Sequence, residues 1–437
     1  MKHWRTLVAV LAVLALALVG GWIGLQAFAS SPLCRDWISK RIGRSLHATG
    51  SLTDFSWNKT NFYSSHYQAV GNPGSRLISL DARNLSAHLV FPKLFAGIWE
   101  FDEFTVGQAD LRLGKQPSVN QQPNPVTGLS LNWLHGPSFR FEIEHILLNE
   151  INVSWQTDST QGSITGTRAD ARRKDNKAWD IALQGGRVAI ADLPKFTVVS
   201  AQGMAEPKQI RINSAQLQFE PSGTLNLDGT VQLDDQDTAE LHGRFADLDA
   251  GKFIPANWHL TAAASGEINY DGGLHRLADG RLTGKVHLDR ARIDWGYFLG
   301  KLRSFIKASG IEEWAFTSVD ADVTYQKDHV EVQNLVAKYE DQAVVRGNVT
   351  VINGQVNGTL SVGLSADLLN WLPGLQQKVF TEVHDGLCWT EVHLSGDENS
   401  PKEDLSKRVV SALQEAFTHN FKDQAKDALK SFLDLFR

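Results

Sequence analysis

From Val319 to Leu364 the chain alternates apolar and polar residues almost without a break. Val319, Ala321 and Val323 fall on one side of an extended backbone, and Asp320, Asp322 and Thr324 on the other. After Val330 and Val332 the pattern slips. It resumes at Val349 and Val351 and again at Leu360, Val362 and Leu364. A period of two predicts strands with one dry and one wet face. The interruptions at Gln326–His329, Tyr339–Gln342 and Asn353–Gly354 are short and turn-rich, which predicts an antiparallel meander.

A short pattern recurs through this half of the chain: Gly, polar, apolar, polar, apolar. It stands at Gly223–Leu227, Gly229–Leu233, Gly266–Tyr270, Gly284–Leu288, Gly347–Val351 and Gly358–Val362. Its irregular spacing makes it a loose repeat rather than a solenoid period. Each glycine shares a face with its two apolar neighbours and lets something come close. That is either a second packed layer or a ligand in an open apolar trough.

The same alternation, in shorter pieces, fills the first half. Strands are predicted at Leu52–Trp57, Phe62–Tyr67, Arg76–Ala82, Leu85–Phe91, Trp99–Phe104 and Ala109–Leu113. Further strands are predicted at Phe139–Leu148, Asn152–Gln156, Gly162–Arg168, Trp179–Leu183, Arg187–Ile190 and Phe196–Ala201. Phe91–Gly97 reads as an apolar bend, and Gln116–Asn132, with three prolines, as a long loop or joint. Asp170–Lys177 is a charge run and reads as a solvated turn. Helical spacing is confined to a few places. Cys34–Leu46 sets Trp37, Ile38, Ile42 and Leu46 opposite basic residues, so it lies on a membrane surface or plugs the end of a sheet. Tyr297–Ser309 and the pair Ala366–Leu372 and Leu375–Phe380, split by Pro373-Gly374, are helical insertions. Lys402–Arg437 carries Leu405, Val409, Leu413, Ala416, Phe417, Phe421, Ala425, Leu429, Phe432 and Phe436 at spacings of three and four, an amphipathic helix, or two, started by Pro401, Glu403 and Asp404.

The N-terminus follows a different rule. Leu7–Phe28 has no charged residue, and its 22 residues at about 1.5 Å each reach roughly 33 Å, enough for a bilayer core of about 30 Å. Leu7, Leu11, Leu14, Leu18, Trp22 and Phe28 belong to this expected anchor. A cleaved signal peptide competes through Ala27-Phe28-Ala29, but the apolar run is longer than such peptides carry. Arg35, Lys40, Arg41 and Arg44 outnumber Lys2 and Arg5, so a bare count of basic residues puts the bulk of the chain in the cytosol.

Composition narrows the function classes. The chain has 437 residues and a formal net charge of −6, with no basic stripe for nucleic acid. Two cysteines, Cys34 and Cys388, are expected as free or buried thiols. Asp234, Asp235 and Asp237 lack the Gly and terminal Glu of a calcium loop and read as a wet turn. The 14 histidines sit singly; His287 and His393 occupy polar strand positions. No nucleophile elbow, zinc-binding helix, phosphate loop or dinucleotide fingerprint occurs. No catalytic residue, metal or cofactor is expected. Trp99, Trp155, Trp179, Trp295 and Trp389 are expected on sheet faces.

The segments LDARNLSAHLVF, FPKLFAGIWEF and a strand ending DLRL, placed just after an anchor, resemble the N-terminal region of AsmA-like proteins. Val319–Leu364 and EVHLSGDENSPKEDL at Glu391–Leu405 resemble that family's C-terminal region. The resemblance implies a mainly β fold: an elongated, twisted, mostly antiparallel sheet forming a β-groove, with an N-terminal transmembrane helix and a C-terminal amphipathic helix. About 20–25 strands stacked in one direction would span on the order of 100–120 Å. It implies an anchor at 1–30, a juxtamembrane helix at 31–50, a groove domain at 51–401 with a joint near 116–132 and insertions near 297–309 and 366–380, and a terminal helix at 402–437. It implies a non-enzymatic inner-membrane protein, mostly periplasmic, that serves outer-membrane homeostasis and carries phospholipid acyl chains. The partners are membrane lipids and, through the C-terminal helix, other envelope proteins; the rival role is an envelope scaffold without transport. Leu225, Leu227, Val286, Leu288, Val349, Val351, Leu360 and Val362 are the expected lining.

Overall fold

The computed structural model describes residues 31–58, 60–90, 98–114, 140–156, 161–175, 178–191, 193–233, 237–254, 260–274, 279–292, 315–370, 374–398 and 400–420. The expected anchor, the bend Phe91–Gly97, the joint Gln116–Asn132, the helix Tyr297–Ser309, Trp295, Asp234, Asp235 and the end of the C-terminal helix lie outside these residues. Among the described residues no helix is long and apolar enough to cross a membrane. The fold is mainly β, with 23 strands among the described residues, and it divides into two compact units.

Unit 1 comprises Met1–Leu217 and Thr230–Asp237. Its described part begins with helix α1 (Pro32–Ser45) and strands β1 (Ala48–Thr53), β2 (Ser56–Asn58), β3 (Asn61–Gly71), β4 (Leu77–Val90) and β5 (Ile98–Gly114). It continues through β6 (Arg140–Ile143), β7 (His145–Gln156), β8 (Gln161–Arg173), β9 (Trp179–Gln184), β10 (Arg187–Ile190), β11 (Phe196–Glu206) and β12 (Gln209–Phe219). Antiparallel pairing joins β1, β3, β4 and β5. Then the expected meander breaks: β5 pairs in parallel with both β6 and β7. A parallel neighbour needs a crossover of a dozen residues or more, and residues 115–139 supply the chain length for it. Antiparallel pairing resumes from β7 to β8 and on through β9, β10 and β11.

Unit 2 comprises Gln218–Gly229 and Thr238–Arg437. After the start of β13 (Thr224–Gln232) come β14 (Thr238–Asp249), β15 (Thr261–Gly273), β16 (Arg281–Arg292), β17 (Ala315–Gln326), β18 (His329–Tyr339), β19 (Ala343–Ile352) and β20 (Gln355–Ser365). Each pairs antiparallel with the next from β14 to β20. The turns fall at the three predicted interruptions. Helices α2 (Ala366–Asn370) and α3 (Leu375–Lys378) follow, then β21 (Glu382–His384), β22 (Leu387–Asp397), β23 (Ser400–Glu403) and α4 (Leu405–Asn420). β22 returns to pair with β20.

Several predicted gaps lie inside longer, continuous strands. The predicted strands Arg76–Ala82 and Leu85–Phe91 merge over Leu77–Val90 into one strand, β4, in which Asn84 takes φ 54°. Opposite it, Gly107 occupies the gap predicted within β5; a Cβ there would stand 2.9 Å from Asn84 Cβ. The slip after Val332 is a bulge at Asn334, φ 52°, between the pairs Val332–Val349 and Leu335–Gly347. A residue in the left-handed region inserts one position, so the apolar set returns to its own face. Asp170–Arg173 is likewise the end of β8 rather than a turn, because Asp170 and Arg172 alternate with Ala169 and Ala171.

Helices close both outer strands. In α1, Ser31 caps the Cys34 amide and Pro32 takes the first turn. Ile38, Ile42 and Leu46 pack on Leu52, Tyr67 and Leu85, so this helix plugs the sheet end. Ser39 Oγ accepts from the outward Leu52 amide (3.0 Å) while donating to the Arg35 carbonyl. At the other end, β22 meets β21 and β23 only at its two tips. Between them Asp404 accepts from the His393 amide (2.9 Å), and Arg408 donates to the Glu391 carbonyl. Pro401 and Glu403 belong to β23; α4 starts at Leu405, with Glu403 accepting from the Ser406 amide.

Candidate apolar binding face

In unit 2 the strand registers carry apolar residues across the sheet in rows. One row runs Leu288, Val319, Ala337, Val345 and Val362. A second runs Ile268, Gly284, Val323, Val332, Val349 and Gly358. A third runs Tyr270, Leu282, Tyr325, Val330, Val351 and Val356. Directly opposed side chains in a ladder share a face. Val286, Leu288, Val349, Val351, Leu360 and Val362 therefore lie together, as does Leu225, whose Cδ1 stands 3.0 Å from a Cβ placed on Gly243. Leu227, two residues on in the same strand, shares that side.

The face is not uniform. Val319, Ala337 and Val345 are buried with Ala291 and Phe316. Toward β20 and β22 the helices cover it: Leu369, Leu375, Phe380, Leu405 and Val409 pack over Cys388 and Val392 and against Leu360 and Val362. Leu360 and Val362 are thus core contacts. The valines 286, 323, 330, 332, 349 and 351 are only half-buried. Rows two and three were not singled out from the sequence in full, because the bulge at Asn334 sets the register in which Val330 and Val332 meet Val351 and Val349.

The glycine repeat has a cause the sequence did not disclose. A Cβ on Gly347 would run into the Thr359 carbonyl oxygen, and one on Gly266 into that of Lys285. What approaches closely is the adjacent strand's backbone, not a second layer or a ligand.

The opposite face is wet. His287 Nδ1 meets Asp320 at 2.7 Å, Asn334 donates to Asp322 at 2.7 Å and Arg244 pairs with Glu267 at 3.3 Å. His393 approaches Glu391 (3.4 Å). Trp389 is buried on this side, its ring stacked on His384 (4.7 Å) with the Arg346 guanidinium 5.0 Å from the ring centre.

No family model, curated protein or solved structure matches this chain. The site is therefore read from its own geometry.

Unit 1 repeats the two-faced plan. Leu80, Leu111, Val153, Ile164 and Val188 are successive partners across one face. Gln68, Asp81, Asp110 and Asn152 are successive partners across the other, with Asn152 donating to Asp110 at 2.7 Å. Partial burial alone would raise the Asp81 pKa, but hydrogen bonds from His66, Gln68 and Arg83 outweigh it and hold the carboxyl below its usual range. Asp170 is shifted the same way: burial opposes, while Arg172 and His145 lower it. Tyr67, under α1, has its phenol pushed up to about 12 by burial. The sequence reading named no lining residue in unit 1, although the alternation of Ala109, Leu111 and Leu113 was visible.

Both cysteines are free and buried, and burial raises the Cys34 pKa. Among the described residues no group of three or more His, Cys, Asp or Glu side chains could hold a metal ion.

Proposed function

We propose that this chain is an AsmA-like, inner-membrane-anchored envelope protein whose twisted, elongated β-groove shields phospholipid acyl chains. The carrying observation is the pair of half-buried valine rows in unit 2, backed by a mostly polar opposite face whose described apolar cluster is Val344, Leu387 and Trp389. Acyl chains laid along Val330, Val332, Val349 and Val351 would leave water, at about 25 cal/mol per Å² of apolar surface, while headgroups stay solvated. The proposed lining is Leu225, Leu227, Val286, Leu288, Val349 and Val351, with Leu360 and Val362 at its margin. No catalytic residue enters this reading. Its placement is single-pass, with the bulk of the chain in the periplasm and outer-membrane homeostasis as its purpose.

One observation favours a second reading. The helices α2, α3 and α4 fill the face beside β20 and β22 with the protein's own side chains. An envelope scaffold without lipid transport would fill the whole face in that way. Lipid extraction and mass spectrometry of the full chain, purified from membranes in mild detergent and exchanged to a lipid-free polymer, separate the two. Bound phospholipid in near-stoichiometric amount is expected; its absence refutes the groove. The full chain is needed, because cutting at Thr49 or Leu405 removes α1 or α4 from the core they complete.

A further inference from the structure

The apolar face of unit 1 ends in an aromatic corner. Trp37 of α1 lies 6.5 Å from Trp99 at the start of β5, and Trp99 lies 5.9 Å from Trp57 in β2. Trp57 lies 4.3 Å from Phe62, and Phe62 lies 5.6 Å from Phe101. The three tryptophans come from three separate elements, yet they meet at one end of strands β2 to β5, and all three are half-buried.

This is also the end from which the chain arrives. Helix α1 starts at Pro32, a few residues after the uncharged run Leu7–Phe28, and its first turn presents Leu33, 73% exposed. The same helix carries four basic side chains, Arg35, Lys40, Arg41 and Arg44, against one acidic, Asp36. The nearby acid Asp102 is already held by His88 at 2.7 Å. Tryptophan concentrates at membrane–water interfaces, where an apolar ring with one polar N–H fits the headgroup level. Basic residues beside it favour anionic lipid.

We propose that the Trp37–Trp57–Trp99 corner, with Leu33, is a docking platform for the surface of an anionic phospholipid bilayer. It rests on the reading of Leu7–Phe28 as a retained anchor. The platform fixes unit 1 with the Trp57 end of β3 against the headgroups and the Asn72 end away from them. The aromatic end of the apolar face then opens at the level where acyl chains begin. A bare tether would leave the unit free to tumble.

Strand β3, eleven residues, separates Asn61 from Asn72 by about 36 Å, and both are exposed. Cys34 and Cys388 are buried, so an introduced surface cysteine takes a thiol dye selectively. The full chain carrying Asn61→Cys or Asn72→Cys is reconstituted in vesicles of phosphatidylcholine with phosphatidylglycerol. Headgroup-depth spin-labelled lipid then quenches the dye. The dye at 61 is expected to lose at least twice the fraction of its emission lost at 72. Trp57→Gln with Trp99→Gln should equalise the two positions, whereas Trp57→Phe with Trp99→Phe should retain most of the difference. Equal quenching in the parent chain, with the protein resisting a carbonate wash, overturns the platform and leaves the anchor standing. A chain stripped by carbonate overturns both.

Discussion

Aspartate placed at Val349 and, separately, at Val392 distinguishes an open face from a packed one. Both positions lie on the same face: Val349 pairs with Gly358, and Val392 with Leu360 two residues on. Val392 is 3% exposed beneath α2, α3 and α4, whereas Val349 is half-buried. Losing a fully buried valine costs about 1.5–3 kcal/mol, and the half-buried one about half of that. The charge decides the rest. At 392 a carboxylate is cut off from water among Leu369, Leu375, Phe380 and Val409, a penalty of several kcal/mol that the group lessens by staying protonated. A total of about 5 kcal/mol would remove most of a typical domain's stability of about 5–15 kcal/mol. At 349 the carboxylate swings toward solvent, and the cost is about 1 kcal/mol. Urea unfolding followed by Trp fluorescence should show Val392→Asp strongly destabilised. Its folded-state pKa is raised, so its stability should recover as pH falls through that value toward the unfolded pKa of about 3.9. Val349→Asp should unfold near the parent midpoint and retain less phospholipid. If Val349→Asp unfolds as readily as Val392→Asp, the valine rows are packed and the groove reading fails. If it folds normally with undiminished lipid, no acyl chain lies at that position.

Three further outcomes follow from described contacts. Asp81→Asn and Asp170→Asn should flatten the acid limb of unit 1 stability. Both carboxyls have folded pKa values below the unfolded one of about 3.9, so their contribution is present above that pH and lost as pH falls through the lower folded values. An unchanged acid limb in equilibrium unfolding refutes this. Gly347→Ala should cost about 1–3 kcal/mol in thermal unfolding, because the new methyl meets the Thr359 carbonyl; a neutral change would mean the ladder yields there. Deleting Ser406–Arg437 removes Val409 and Ala412 from the core and Arg408 from the Glu391 carbonyl, so light scattering should report aggregation; a monodisperse, equally stable product refutes the role of α4 as cover.

The strands were legible because alternation is a local property. Val319–Leu364 became four strands with the turns where they were expected. The misplaced strand ends share one origin. Asn84, Asn334 and Gly107 interrupt the period by one position, which a sequence reading treats as an end and the sheet carries through, at Asn334 as a bulge and at Asn84 and Gly107 with the pairing in register. The parallel step at β5 was invisible, since no local pattern says which neighbour a strand will choose. The packing of α1 was equally nonlocal: Ile38, Ile42 and Leu46 fit a membrane or a sheet, and contact with Leu52, Tyr67 and Leu85 puts that side of the helix on the sheet, leaving Leu33 outside it. At the candidate face the sequence marked the right residues around each glycine but gave the glycines the wrong partner. The helices over Val392 were legible as helices from their spacing, and the apolar side of the C-terminal one pointed to the sheet end on which α4 packs.

The occupied edges at Leu52 and Glu391–His393 bear on how such a protein changes size. A sheet with open ends can grow by recruiting another molecule. Here the outward amides and carbonyls at those positions already have side-chain partners, so a second copy finds no free template there. A strand added at those positions would have to displace α1 or the Asp404 and Arg408 contacts, whereas a duplicated hairpin inserted between existing strands keeps the dry and wet faces in phase. A bulge such as Asn334 tolerates a one-residue error in that process by returning the valines to their side. Growth by internal insertion, with fixed end pieces, leaves both terminal helices in place whatever the number of strands between them.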